Sequence, residues 1–361
     1  MKLSIYFVFS VILLVTTGCS TALKTKPFDG NLNAASQKIL KGMSEDHGLK
    51  DHELSIQYLG VGGHLFRYGK DALMTSPSFT NPSLIALTPF LPLSADSEKI
   101  DQYLPPVDDV EIILVGHAHY DHLLDLPYIM NTHARSAHVY GSETTGHIMA
   151  AAIDKSRIHI VNDSMAQDKN PGQWIYSKSK RIRFMAIRSS HAPHVLGMKF
   201  MQGQYTEDLT SLPWSGFGWR EGQTLSYLID FLGDDGHVAH RVYYQDAASA
   251  PHQGLIPQLS EAVPKRIDIA IICPAAFQQE KDYPESIMRS TQAKHFILGH
   301  WEDFFGNDLS QPARWLRLTN EDEFFTRFKA ALPADSTWTL PNVFAIHRFA
   351  EDGRLIKTAT K

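Results

Sequence analysis

The sequence predicts a mixed α/β protein in which strands outnumber helices. Apolar runs of strand length recur between glycine- and proline-marked turns, as in Glu111-Ile112-Ile113-Leu114-Val115 closed by Gly116. Segments of helical texture lie between these runs, and no repeat at a solenoid period is present. Several runs end directly in an imidazole or a carboxylate, the rim position at which α/β proteins build their sites.

Taken in order, residues 1–18 read as a leader, and 19–52 as a polar tether with one short helix near 34–43. Residues 55–59 and 65–68 flank Gly60, Gly62 and Gly63 as a hairpin, and 71–74 make a short strand leading to Ser76-Pro77. The proline-rich stretch 81–106 is expected to be a surface loop. After the strand at 111–116 a helix is expected over 123–132. Further strands are expected at 137–140, 158–161, 181–188, 224–231, 241–244, 267–272 and 295–298, with helices at 144–155, 284–291 and 321–331. Residues 201–222, with Tyr205, Trp214, Phe217 and Trp219, read as an inserted aromatic loop. The main domain is expected over 53–350 and a tail over 351–361.

The 361 residues are 43% hydrophobic and 20% charged, an ordinary globular composition that supplies a sizeable core. Lys and Arg number 34 against 39 Asp and Glu, a formal charge of −5. That balance gives no general attraction to phosphate backbones, so no nucleic-acid partner is expected.

Lys2 followed by residues 5–15, apolar apart from Ser10, has the make-up of an export signal and falls short of the roughly 20 residues a transmembrane helix needs. The stretch ends Val15-Thr16-Thr17-Gly18-Cys19-Ser20. This resembles a bacterial lipoprotein signal, with Thr16 departing from the usual aliphatic residue. The resemblance implies lipidation at Cys19 and a chain anchored in the bacterial cell envelope. Ser20 resembles an outer-membrane sorting residue, which implies an anchor in the outer membrane facing the periplasm. The alternative is a cleaved secretory signal with an incidental cysteine. The other cysteine, Cys273, lies in an apolar run and reads as a small buried hydrophobe.

The densest chemical signal is His117-Ala118-His119-Tyr120-Asp121-His122, directly after the strand at 111–116. Three imidazoles and a carboxylate are costly to crowd together unless a cation organises them. One loop of ligands does not close a site, so other strand ends are informative. The run 181–187 leads into Ser189-Ser190-His191, 242–245 ends in Asp246, and 296–299 ends in His300. Asp121 has an alternative reading as a helix N-cap before Leu123. His191 competes with His194, and its position nearer the strand end favours it; His194 is then a neighbour that braces a ligand or faces substrate. His252 and His64 are candidates for the same supporting roles, against the plainer reading of loop histidines. Trp301, Phe304 and Phe305 read as core, Glu302 and Asp303 as solvated.

His-x-His-x-Asp-His, followed by His, Asp and His at later strand ends, resembles the metallo-β-lactamase-fold hydrolase superfamily over roughly residues 54–349. The resemblance implies a four-layer αββα sandwich with the site along one edge of the paired sheets. It puts His117, His119 and His191 on one metal ion and Asp121, His122 and His300 on a second, with Asp246 bridging and Asp121 also the catalytic carboxylate. Where many relatives have Asp-Pro, this chain has Ser76-Pro77, a departure at a position that braces the ligands.

Imidazole and carboxylate together suit two divalent ions, zinc first, with iron or manganese admitted by the carboxylates. A metal-bound hydroxide attacking an ester-type bond is the expected chemistry. No Gly-x-Ser-x-Gly elbow and no glycine-rich phosphate loop points elsewhere. The Gly299-His300-Trp301 turn resembles the branch containing an N-acylphosphatidylethanolamine-hydrolysing phospholipase D and sugar-phosphate lactonases, which implies a phosphodiester or phospholipid substrate. Lactone or thioester hydrolysis is the first alternative, and a non-catalytic metal-binding envelope protein the second. The bridging Asp246 argues against a true β-lactamase. The expected partners are a small-molecule or lipid substrate and the anchoring membrane; oligomeric state is left open.

Overall fold

The structure, a computed structural model, describes residues 49–50, 52–168, 170–260 and 265–359. The leader, Cys19 and the helix expected near 34–43 lie outside the described residues. Two β-sheets stack face to face. The first holds β1 (Leu54–Gly60), β2 (Gly63–Tyr68), β3 (Asp71–Thr75), β4 (Val110–Leu114), β5 (His138–Gly141) and β6 (Ile158–Ile160). The second holds β7 (Ile175–Tyr176), β8 (Ile182–Arg188), β9 (Leu225–Leu232), β10 (Val238–Tyr244), β11 (Ile269–Ile272), β12 (His295–Leu298) and β13 (Thr337–Thr339). The chain then returns to the first sheet with β14 (Ile346–Phe349) and β15 (Leu355–Ala359). Spatial order is β15-β14-β1-β2-β3-β4-β5-β6 in one sheet and β13-β12-β11-β10-β9-β8-β7 in the other.

Strand alternation explains the layering. Ile112 and Leu114 of β4 enter a core between the sheets with Phe66, Ile229, Val242, Ile269, Ile271 and Ile297. Their neighbours Ile113 and Val115 face the opposite way, as do Ala270, Ile272, Phe296 and Leu298. That outer apolar surface is covered by helices: α1 (Ser97–Tyr103), α2 (Tyr120–Leu123), α3 (Leu126–Thr132), α4 (Glu143–Met149), α5 (Glu285–Thr291) and α6 (Glu321–Ala331). Ile129, Met130, Ile148, Met149, Ile287, Met288, Phe324 and Phe328 supply the apolar faces. Both faces of each sheet are therefore buried, giving the four-layer αββα sandwich.

Strand direction brings the site together. β10 runs parallel to β11, and β11 to β12, so their C-terminal ends share one edge. β8 is antiparallel to β9, which is antiparallel to β10, so β8 ends at that edge too.

Local details depart from the sequence reading. The helix expected over 123–132 is broken: Pro127 opens α3, and the Asp125 carboxylate before it accepts from the amides of Phe79 (2.6 Å) and Thr80 (2.9 Å). The expected loop 81–106 contains α1, capped by Asp96, which accepts from the Lys99 amide at 3.1 Å. The helix expected over 144–155 ends at Met149. Residues 355–359, expected in a tail, pair with β14 as the edge strand. Among the described residues, no helix is long and apolar enough to cross a membrane.

Candidate metal centre

The hexapeptide leaves β4 through Gly116 and is pinned immediately. The Gly116 carbonyl accepts from the Leu225 amide at 2.7 Å, and the Ala118 amide donates to the Glu221 carbonyl at 3.0 Å. His119 caps α2 with its backbone, and Asp121 and His122 fall in the single turn that follows. Asp121 is thus not the N-cap. Gly116 leaves room for the site, because a Cβ there would overlap the Asp246 carboxylate. A Cβ on Gly62 would stand 2.5 Å from His122 Nδ1.

The distant strand ends converge on this turn. His117 Nδ1 lies 3.2 Å from Asp246 Oδ1, and His122 Nδ1 lies 3.4 Å from Asp246 Oδ2. On the other side, Asp121 Oδ2 is 3.5 Å from His122 Nε2 and 3.4 Å from His300 Nε2. The His191 ring centre is 4.7 Å from that of His117 and 5.1 Å from that of His119. Ligand atoms of His117, His119 and His191 form one compact group, and those of His117, Asp121 and His122 a second. His117 is common to both, and the Asp246 carboxylate reaches across from one side to the other.

The electrostatics of the cluster suit a cation. Burial, with neighbouring imidazoles, pushes His117 and His119 well below the ordinary histidine value. Burial pushes His122 down to about 3 despite Asp121 beside it. Burial raises Asp246, against the pull of His122 and His300. Asp121 is held well below the carboxylate range although burial opposes it, because His122 and His300 face it. His300 is raised, the effect of burial being overcome by Asp121. Nε2 of His117 and of His119, both ring nitrogens of His122 and Nδ1 of His300 are buried without a hydrogen-bond partner. Orphaned lone pairs beside buried carboxylates are expensive unless a metal ion satisfies them, so the donor set fits divalent ions. His191 donates Nδ1–H to the Ala192 carbonyl at 2.6 Å, which leaves Nε2 as its free lone pair.

A buried shell holds the ligands in place. The Ser76 hydroxyl donates to the His122 carbonyl, so the residue standing in place of aspartate still braces the ligand turn. Tyr58 Oη accepts from the His300 amide at 2.8 Å and donates to Glu302. The other Glu302 oxygen accepts from the Val61 amide at 2.5 Å. These bonds hold His300 in a left-handed backbone conformation (φ 53°). Glu302, read from the sequence as solvated, is fully buried, and Asp303 is paired with Arg317. The role of Glu302 was not visible in the sequence, because Tyr58 and Glu302 are 244 positions apart.

The three supporting histidines separate. His194 lines the cavity beside the ligands, stacked on His191 at 4.8 Å; burial lowers it to about 3, and its Nδ1 accepts from the Phe200 amide at 3.2 Å. His64 is buried behind Gly299 among Tyr58, Phe66 and Tyr244, away from the cavity. His252 is exposed and outside the lining, a loop histidine that the chain does not bring to the site.

Above the ligands opens a cavity of about 250 Å³. Its floor is His119, Asp121, His191, Asp246 and His300, and its walls are mostly apolar, including Leu84, Leu87, Val195, Phe200, Phe217 and Leu316. Phe304 and Phe305, expected as core, also face it. The aromatic loop supplies Met201 and Phe217, and its ends close where the Glu221 amide donates to the Met201 carbonyl at 2.8 Å.

Residues 82–281 match the family model described as a β-lactamase superfamily domain. No curated protein matches the chain significantly. Among solved structures, it is similar to the metallo-β-lactamase fold protein YhfI from Bacillus subtilis, at 12% identity and a TM-score of 0.46, covering 83% of this chain and 100% of that one. It is also similar to Igni18, a metallo hydrolase from the archaeon Ignicoccus hospitalis, at 12% identity and 0.45, covering 82% and 98%. CmlA, a diiron β-hydroxylase from Streptomyces venezuelae, aligns at 10% identity and 0.45, covering 84% of this chain and 55% of that one. Over more than half its length the sequence fits the family model, and the chain belongs to the metallo-β-lactamase superfamily.

Proposed function

We propose that the chain is a dinuclear metal-dependent hydrolase of a phosphodiester, within the phospholipid class and the phospholipase D-like branch, anchored by Cys19 in the bacterial outer membrane and facing the periplasm. The observation that carries this reading is the pair of ligand groups that share His117, with their members His119, Asp121 and His191 on the floor of a mostly apolar cavity. His117, His119 and His191 would hold one ion; Asp121, His122 and His300 the other; Asp246 would bridge them. Imidazole-rich donors favour zinc, and the two carboxylates admit iron or manganese. Two such ions would supply Lewis acidity and an activated water.

The remaining work falls to the chain. Glu302 and Tyr58 fix His300, and Ser76 fixes the turn that carries Asp121 and His122. His194, neutral and with Nδ1 committed to the Phe200 amide, keeps its proton on Nε2, ready to donate to a substrate oxygen. The apolar walls exclude water and select a substrate with one charged end and an apolar body. A cavity of about 250 Å³ holds the head of such a molecule and not two acyl chains. Metal-loaded protein assayed against bis-p-nitrophenyl phosphate, phospholipid and lactone panels tests the reading. Turnover of diesters is expected; intact diesters beside a hydrolysed lactone would replace it.

A further inference from the structure

We infer that the rim of the cavity is a docking surface for a lipid bilayer, so that the substrate enters from the membrane and not from water. This deepens, and rests on, the phospholipid reading above. Nine large hydrophobic side chains are exposed among the described residues, and six of them, Ile85, Phe90, Leu91, Leu196, Trp214 and Leu318, lie on the chain segments that supply lining residues of the cavity. Isolated exposed hydrophobics are ordinary, whereas several on the segments around one cavity, a collar in this sense, mark an interaction site. Leu318 itself lines the cavity, Ile85 follows the lining Leu84, and Leu196 follows the lining Val195.

Hydrogen bonds tie the separate segments of the collar together. The Gly197 amide donates to Gln279, and Gln278 donates to the Leu318 carbonyl at 2.6 Å, joining the Leu196 and Leu318 loops. The Leu93 amide donates to the Trp214 carbonyl at 2.9 Å, joining the 85–93 segment to the aromatic loop. Leu196 is 81% exposed and Trp214 61%.

Two observations make that partner a bilayer. The collar residues share segments with the apolar walls of a cavity that does not hold two acyl chains, so chains projecting from the cavity meet more apolar surface. About 30 residues separate Cys19 from the first described residue, a length that spans at most roughly 100 Å, so an acylated Cys19 keeps the collar within reach of its own membrane. With a chain charge of −5, adhesion rests on apolar insertion and extends to uncharged lipid.

The test uses the full chain on phosphatidylcholine vesicles carrying brominated acyl chains. Emission lost on replacing Trp214→Phe reports Trp214 alone; it is expected to be quenched by the bromines, and an unquenched Trp214 overturns the inference. This readout needs no turnover, so it decides docking even if every ester proves inert and the proposed function fails. The second arm is the double variant Leu196→Ser with Trp214→Ser. It should cleave water-soluble bis-p-nitrophenyl phosphate like the parent and lose about tenfold or more on phospholipid in vesicles. Equal losses on both substrates, or none on vesicles, would overturn the docking role.

Discussion

Replacing Gly62 by alanine probes how tightly the ligands are packed. The new Cβ would stand 2.5 Å from His122 Nδ1 and 2.8 Å from its Cε1. The backbone has no room to retreat, because the Gly62 carbonyl accepts from Thr75 Oγ1 at 2.6 Å and from Tyr244 Oη at 2.7 Å. The imidazole must therefore move, and reaching the 3.4 Å at which ordinary contact begins takes about 0.9 Å. His122 sits 3.4 Å from Asp246 and 3.5 Å from Asp121, so the shift breaks the geometry of one ligand group. Misplacement on the order of 1 Å costs about 10²-fold in turnover. Disturbing a ligand's support costs about 10–100-fold in metal affinity, and overpacking costs about 1–3 kcal/mol of stability. Metal content by mass spectrometry, turnover and thermal melting would be measured together. Gly236→Ala is the control: it has φ 81° and open space around its Cβ, so strain alone should lower its stability while metal content stays full. A Gly62→Ala protein with full metal content and parental turnover would refute the reasoning.

Two further outcomes follow from buried contacts and a third from the proposed lipid anchor. Tyr58→Phe strands the His300 amide and the Glu302 carboxylate, at about 2–4 kcal/mol of stability, and should weaken metal binding about tenfold or more; unchanged metal affinity would show that His300 needs no such brace. His295, far from the ligands, is lowered to about 4 by burial, so it stays neutral in the folded protein while its unfolded form protonates below about 6.5. The stability it contributes is complete above 6.5 and is lost as pH falls toward 4, at roughly 1.4 kcal/mol per pH unit; His295→Gln should flatten the urea-midpoint profile by that slope, and an unaltered profile would exclude it. Cys19→Ser should release the protein from membranes in fractionation, and retention in the pellet would remove the lipid anchor.

The convergence of the candidate ligands was legible because the hexapeptide, His191, Asp246 and His300 each follow an apolar run of strand length, and strand ends are where side chains become free to meet. The sandwich was legible through the family resemblance that the ligand motif carries, and the runs 112–115 and 269–272, apolar at consecutive positions, agree with strands buried on both faces. β13 to β15 escaped notice because Thr337-Trp338-Thr339 and Ile346-His347-Arg348-Phe349 are short and half polar, and become strands only by pairing with neighbours already in place. The parts that shape the site through space left no local mark. Gly62 and Gly116 look like turn glycines until the distant side chain that needs their emptiness is known. Glu302 looks solvated until Tyr58 is folded onto it. His252 misled because proximity to Asp246 in sequence does not survive a loop that turns outward.

Anomalous diffraction from crystals of the metal-loaded protein locates the ions themselves. Two peaks about 3.5–4 Å apart are expected, one against His117, His119 and His191, the other against Asp121, His122 and His300, with Asp246 between them. A single peak elsewhere, or a loaded crystal with no density among these side chains, would contradict the two-ion assignment.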